Sequence, residues 1–157
     1  YDTNYHYIVP EFDAAQPFAL ASTQVVEAYT EARDAGIETR PVLLGPVSFL
    51  LLGKMQSAEA EVLDLLDALL PVYAEVLERL ADAGATSVQL DEPHLVMDLS
   101  DAERTAFHKA YAVLADAAEV DLALTTYFGR LGENMETVFD LPVESVHLDH
   151  AALPRAD

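Results

Sequence analysis

The run Gly84-Ala85-Thr86-Ser87-Val88-Gln89-Leu90-Asp91-Glu92-Pro93 decides the architecture. Gly84 closes a long helical pattern, where a residue free to adopt a left-handed backbone is favoured. Thr86-Ser87-Val88-Gln89-Leu90 then reads as a strand, and Pro93 lacks the amide needed to extend it. A helix, a strand and an acidic turn in close succession form the repeating unit of a parallel α/β sheet.

The same cycle repeats on both sides. Upstream, Tyr5-His6-Tyr7-Ile8-Val9-Pro10 reads as a short strand followed by a loop through Pro17. Val25, Val26, Tyr29 and Ala32 recur at helical spacing within Thr23 to Ala35, before Gly36. Thr39-Arg40-Pro41-Val42-Leu43-Leu44 is an extended run ended by Gly45-Pro46, and an apolar segment from Val47 to Leu52 closes at Gly53. A helical pattern covers Ser57 to Gly84, with Pro71 expected to kink it or divide it into two abutting helices.

Downstream, Ser100-Asp101-Ala102-Glu103 has the spacing at which a hydroxyl and a carboxylate satisfy each other's helix-end amides, opening a helix to about Ala118. Val120 to Tyr127 is a strand, residues 133 to 140 a short helix, and Ser145-Val146-His147-Leu148 a last strand before Asp149. About five strands alternating with helices, and no hairpin signal, predict one α/β domain with a parallel sheet. At 157 residues the chain is well short of the roughly 250 of a closed eight-stranded barrel, so the expected architecture is a partial (β/α)8 TIM-type barrel.

Composition narrows the function. Apolar residues make up 52% and charged residues 23%, enough to build a core. The net charge is −20, with only 8 Lys and Arg, which repels nucleic-acid phosphates and anionic lipid surfaces. An anionic substrate would meet few compensating cations. No apolar run reaches the length of a membrane span, and Tyr1-Asp2-Thr3-Asn4 does not open a signal peptide, so a cytoplasmic location is expected. The absence of cysteine rules out disulfides, thiolate catalysis and Cys-containing zinc sites within the chain.

Asp91 and Glu92 stand at the carboxyl end of a strand, where the loops of parallel sheets converge to build sites. The same carboxylates can instead cap the next segment or pair with a neighbour. Thr125-Thr126-Tyr127 and Asp149 end the following strands in the same way, so three successive strands would bring polar groups to one face. His147 and His150 flank Asp149 without a helical pair or a third ligand, a poor fit to a metal centre. Gly45 to Gly53-Lys54 has seven intervening residues and no following Ser or Thr, which excludes a phosphate loop.

Several long motifs resemble one family: Asp2-Thr3-Asn4-Tyr5-His6-Tyr7-Ile8-Val9-Pro10-Glu11, the Pro41 to Lys54 stretch, Leu70-Pro71-Val72-Tyr73, Gln89-Leu90-Asp91-Glu92-Pro93 and Thr125-Thr126-Tyr127-Phe128. Together, and in this order, they resemble the N-terminal domain of cobalamin-independent methionine synthase, with the chain as the central part of that barrel. The resemblance implies methyl transfer from 5-methyltetrahydropteroyltriglutamate to homocysteine by two face-to-face barrels. It implies a zinc ion held by the C-terminal barrel, and no cofactor in this stretch. It also implies a contribution to folate binding, with Asn4 as the candidate contact; Asp91-Glu92-Pro93 is similar to a substrate-binding motif of the C-terminal barrel, which makes Asp91 and Glu92 further substrate-binding candidates. Basic residues that the family carries ahead of this motif have no counterpart from Tyr1 onward, nor does the zinc-binding Cys. The chain alone is therefore expected to be inactive, with no catalytic and no metal-ligating residue, and to form a homo-oligomer that covers its open barrel edges. The alternative is a non-catalytic binding or assembly module built on a half-barrel.

Overall fold

The computed structural model describes residues 9–149. In chain order these form β1 (Glu11–Phe12), α1 (Gln24–Asp34), β2 (Val42–Leu44), α2 (Pro46–Leu51), β3 (Lys54–Met55), α3 (Leu66–Asp82), β4 (Ser87–Asp91), α4 (Asp101–Ala115), β5 (Asp121–Thr125), α5 (Met135–Phe139) and β6 (Ser145–His147). Short 3-10 turns at Val62–Leu65, Pro93–Val96 and Gly132–Asn134 lead into or follow them. No helix among the described residues is long and apolar enough to cross a membrane.

The main sheet has the order β2-β4-β5-β6, and every pairing is parallel. Spatial order follows chain order, with no reversal of the kind that marks a doubly wound sheet. Consecutive parallel strands joined through helices are the wall of a (β/α)8 barrel taken in part, which agrees with the architecture expected from the sequence. Val88 and Leu90 of β4 are fully buried while Ser87, Gln89 and Asp91 are partly exposed, so one face lies under the helices and the other is the concave inner face. Beneath the helices the core joins Leu50 of α2, Leu69, Leu77 and Leu80 of α3, and Phe107, Tyr111 and Leu114 of α4.

Local chemistry explains the element ends. The Ser100 and Glu103 capping box forms, with the Ser100 amide donating to Glu103 Oε2 at 2.6 Å and the Glu103 amide to Ser100 Oγ at 3.3 Å. Gly84 ends α3 with φ +92°, its amide donating to the Ala81 carbonyl while that of Ala85 donates to Leu80. Gly36 ends α1 in the same manner at φ +76°.

Three sequence expectations need correction. Pro71 does not divide the pattern into two abutting helices: it lies inside α3, which runs from Leu66 to Asp82. Pro71 and Asp67, whose carbonyl loses its helical donor, are both exposed, so water can take the missing bond. Residues 57–61 are not helical, and the chain tightens into the 3-10 turn at Val62 before α3 begins. The loop after Pro10 contains β1, which pairs in parallel with β3 in a separate two-stranded sheet, Glu11 beside Lys54 and Phe12 beside Met55. Pairs this short carry no periodicity to read. The strand expected at Tyr5 to Pro10 lies almost wholly outside the described residues.

Candidate functional site

The carboxyl edge of the main sheet is laced together beyond the strand ends. The Gly45 amide donates to the Asp91 carbonyl at 2.8 Å, that of Glu92 to Thr125 at 2.9 Å, and that of Thr126 to His147 at 3.1 Å. The three polar strand ends expected to converge do so. Asp91 accepts from Gln89 Nε2 at 2.8 Å and from the Tyr127 hydroxyl at 3.4 Å. The Tyr127 ring packs edge-on against Phe128, with centroids 4.5 Å apart, and the Phe128 amide donates to Asp149 Oδ2 at 3.2 Å. Asp91, Tyr127, Phe128 and Asp149 thus form one connected rim across β4, β5 and β6.

Phe128 departs from ordinary backbone geometry: its φ is +73°, and the residue is 62% exposed. A bulky residue in the left-handed region costs on the order of 1–3 kcal/mol and needs its surroundings to hold it. Its hydrogen bond to Asp149 supplies part of that hold. A cleft of about 200 Å³ opens beside the rim, lined in part by Thr126, Leu131, Met135 and Leu148. On the inner face, strand register aligns Leu44, Asp91, Thr125 and His147 in one row and Val42, Gln89, Ala123 and Ser145 in the row below. A hollow of about 330 Å³ runs over the second row between Arg40 and His147.

Asp91 and Glu92 point to opposite sides. Side chains alternate along a strand, so Glu92 continues the Val88, Leu90 side and enters the helix layer, where none of it is exposed. There Glu92 Oε2 accepts from the Ser48 amide at 2.8 Å and Oε1 from the Tyr111 hydroxyl at 3.3 Å. Burial pushes its carboxyl up to about 7, against the lowering effect of its bonds to Ser48, Val47 and Tyr111. The Tyr73 hydroxyl donates to the Leu44 carbonyl at 2.8 Å, and burial, with Glu92 nearby, pushes that phenol up. Asp91 alone of the pair is presented to the inner face.

Asn4 and His150 lie outside the described residues. Among the described residues no group of three or more His, Asp and Glu gathers closely enough to hold a metal ion. Sequence reasoning missed Phe128 as a strained position, because nothing in Thr125-Thr126-Tyr127-Phe128-Gly129 marks the aromatic, rather than the glycine, as left-handed.

A parallel α/β barrel wall with a polar rim at its carboxyl edge defines the structural class. The chain matches the family described as the cobalamin-independent synthase, N-terminal domain, over residues 1–156, and it belongs to that family. It is 61% identical over 149 residues to a 5-methyltetrahydropteroyltriglutamate–homocysteine methyltransferase of Salinibacter ruber, covering 95% of this chain and 19% of that protein. Proteins of the same description from Rhodopseudomonas palustris and Chelativorans sp. are 55% identical over 156 residues and 56% identical over 154, covering 99% and 98% of this chain and 20% of each relative. The chain spans about a fifth of the length of these curated relatives.

Proposed function

We propose that the chain forms, as one domain, the central part of the N-terminal barrel of a 5-methyltetrahydropteroyltriglutamate–homocysteine methyltransferase, that it contributes to folate binding, and that it does not carry the reaction by itself. The observation that supports this best is the family match over nearly the whole chain at up to 61% identity. The rim of Asp91, Tyr127, Phe128 and Asp149 supplies hydrogen-bonding groups and an exposed ring at the edge where barrel sites are built. Asn4 and Asp91 are the proposed ligand contacts. Glu92, reached only from the helix layer, supports the turn that carries Asp91.

The zinc expected of the family belongs, on this proposal, to the C-terminal barrel. The sequence has no cysteine, and its described His and carboxylate groups do not cluster in threes. No step of methyl transfer is routed through these residues, and homocysteine is assigned to another part of the protein. The homo-oligomer expected from the open sheet remains part of the proposal, since β2 and β6 each pair on one side only among the described residues.

Electrostatics sets the affinity expected for the folate. Against a net charge of −20, Arg33, Arg79, Arg104 and Lys109 already pair with carboxylates, leaving few cations for an anionic triglutamate tail. Calorimetric titration with 5-methyltetrahydropteroyltriglutamate is expected to give weak binding that strengthens at low ligand charge and is reduced further by Asn4→Ala. Tight binding unchanged by Asn4→Ala would overturn both the contact and the charge argument.

A further inference from the structure

The loops that follow β4 and β5 carry the rim, the first leaving from Asp91 and Glu92 and the second from Thr126, Tyr127 and Phe128. They meet at Asn134, the last residue of the 3-10 turn Gly132–Asn134. An asparagine just ahead of a helix ordinarily caps it with its own side chain. Asn134 holds that position for α5 and makes no such bond. Its carboxamide, in a residue only 2% exposed, turns to the other loop, Nδ2 donating to the Leu95 carbonyl at 2.8 Å and to the Met97 carbonyl at 2.7 Å. Its Oδ1 accepts from Arg104 Nη2 of α4 at 3.1 Å, and Asp101 lies 3.4 Å from the same guanidinium. One side chain thus joins both loops and the helix that separates them in the chain. A second contact lies nearby: a β-carbon on Gly129 would come within 3.1 Å of Val96, so the two loops pack closely there as well.

We propose that Asn134 is the positioning residue of the carboxyl-edge rim: its carboxamide clips the loop after β5 to the loop after β4, and so sets Tyr127 and Phe128 in place against Asp91.

The chemistry singles out a short amide. Two carbonyls that converge on one buried point need a group with two donors, and Arg104 needs an acceptor from the same group. Asn and Gln alone combine these without charge, and Gln is a methylene longer. Leaving the Leu95 carbonyl without its donor would expose the full desolvation cost of a buried acceptor. The bond across the rim is weaker than the clip: Tyr127 to Asp91 is long at 3.4 Å, and Phe128 holds a left-handed backbone, φ +73°, that its surroundings have to maintain. That the rim meets folate rests on the proposed function, and the clip itself does not.

Two variants of the isotope-labelled chain, read by nuclear magnetic resonance, test this. Asn134→Leu keeps the volume and removes all three bonds. Asn134→Asp keeps the acceptor for Arg104 and sets a carboxylate oxygen against the two carbonyls. Both are expected to shift the amide resonances of Tyr127 and Phe128 as well as those of Leu95 and Met97, with Leu124 of β5 unmoved. Affinity for 5-methyltetrahydropteroyltriglutamate, measured by calorimetry in the same variants, is expected to fall by about tenfold or more. Shifts confined to residues 95–97 and 134, or a wild-type rim in Asn134→Asp, would overturn the proposal. A wild type that binds no folate, or an affinity that stays constant while the rim moves, counts against the proposed function alone, and the resonances decide the clip. Should neither variant fold, native-state hydrogen exchange in the wild type decides. The Asn134 Nδ2 protons and the Thr126 amide are expected to open together with the same urea dependence, and separate openings would refute the clip.

Discussion

At Gly45 the constraint on residue type is spatial, since its φ of −68° and ψ of 151° suit any residue. A methyl group there would displace the Glu92 carboxyl, which is fully buried. Gly45→Ala is expected to cost about 1–3 kcal/mol in unfolding free energy, the usual range for overpacking a closed site. An unchanged urea midpoint would show that the carboxyl can move aside. Residue identities were unequally legible here. Asp91 was marked by its place after a strand, and the opposite direction of Glu92 follows from the alternation Val88, Leu90, Glu92, a signal present in the sequence. The strain at Phe128 had no such signal, because it depends on the bond to Asp149 from the neighbouring strand.

Among the elements, α1, α3, α4, α5 and the main-sheet strands were readable because each carries its own period or cap, whereas α2 was marked only as an apolar segment. The long α3 stripe of Leu66, Leu69, Leu70, Val76, Leu77 and Leu80 is buried as its spacing requires. Pro71 does not divide α3 in two, because the carbonyl it orphans belongs to an exposed residue and can bond to water. The β1 and β3 pair was hidden because two-residue strands are defined by each other. Strand edges raise the question of what completes them. β2 and β6 each have one partner among the described residues, and Val42 and Leu44 on the inner face are 50% and 37% exposed. Unpaired edges and open apolar positions favour association, and a symmetric dimer is the commonest solution. Light scattering at micromolar concentration is expected to read a dimer or larger species. A compact monomer that binds no hydrophobic reporter dye would contradict this.

For the whole molecule, charge and composition acted as exclusions: −20 argues against nucleic acid and anionic membranes, and the absence of cysteine removes the most direct zinc ligand. What they could not supply is the direction of the open face, which became visible only once strand register placed Asp91, Thr125 and His147 in one row. The proposed function gives this chain a share of a ligand site and none of the methyl-transfer chemistry. Methionine formation by the purified chain, given homocysteine, 5-methyltetrahydropteroyltriglutamate and zinc, tests that most directly. The account predicts a rate equal to the protein-free control. Turnover above that control and abolished by a chelator would contradict it.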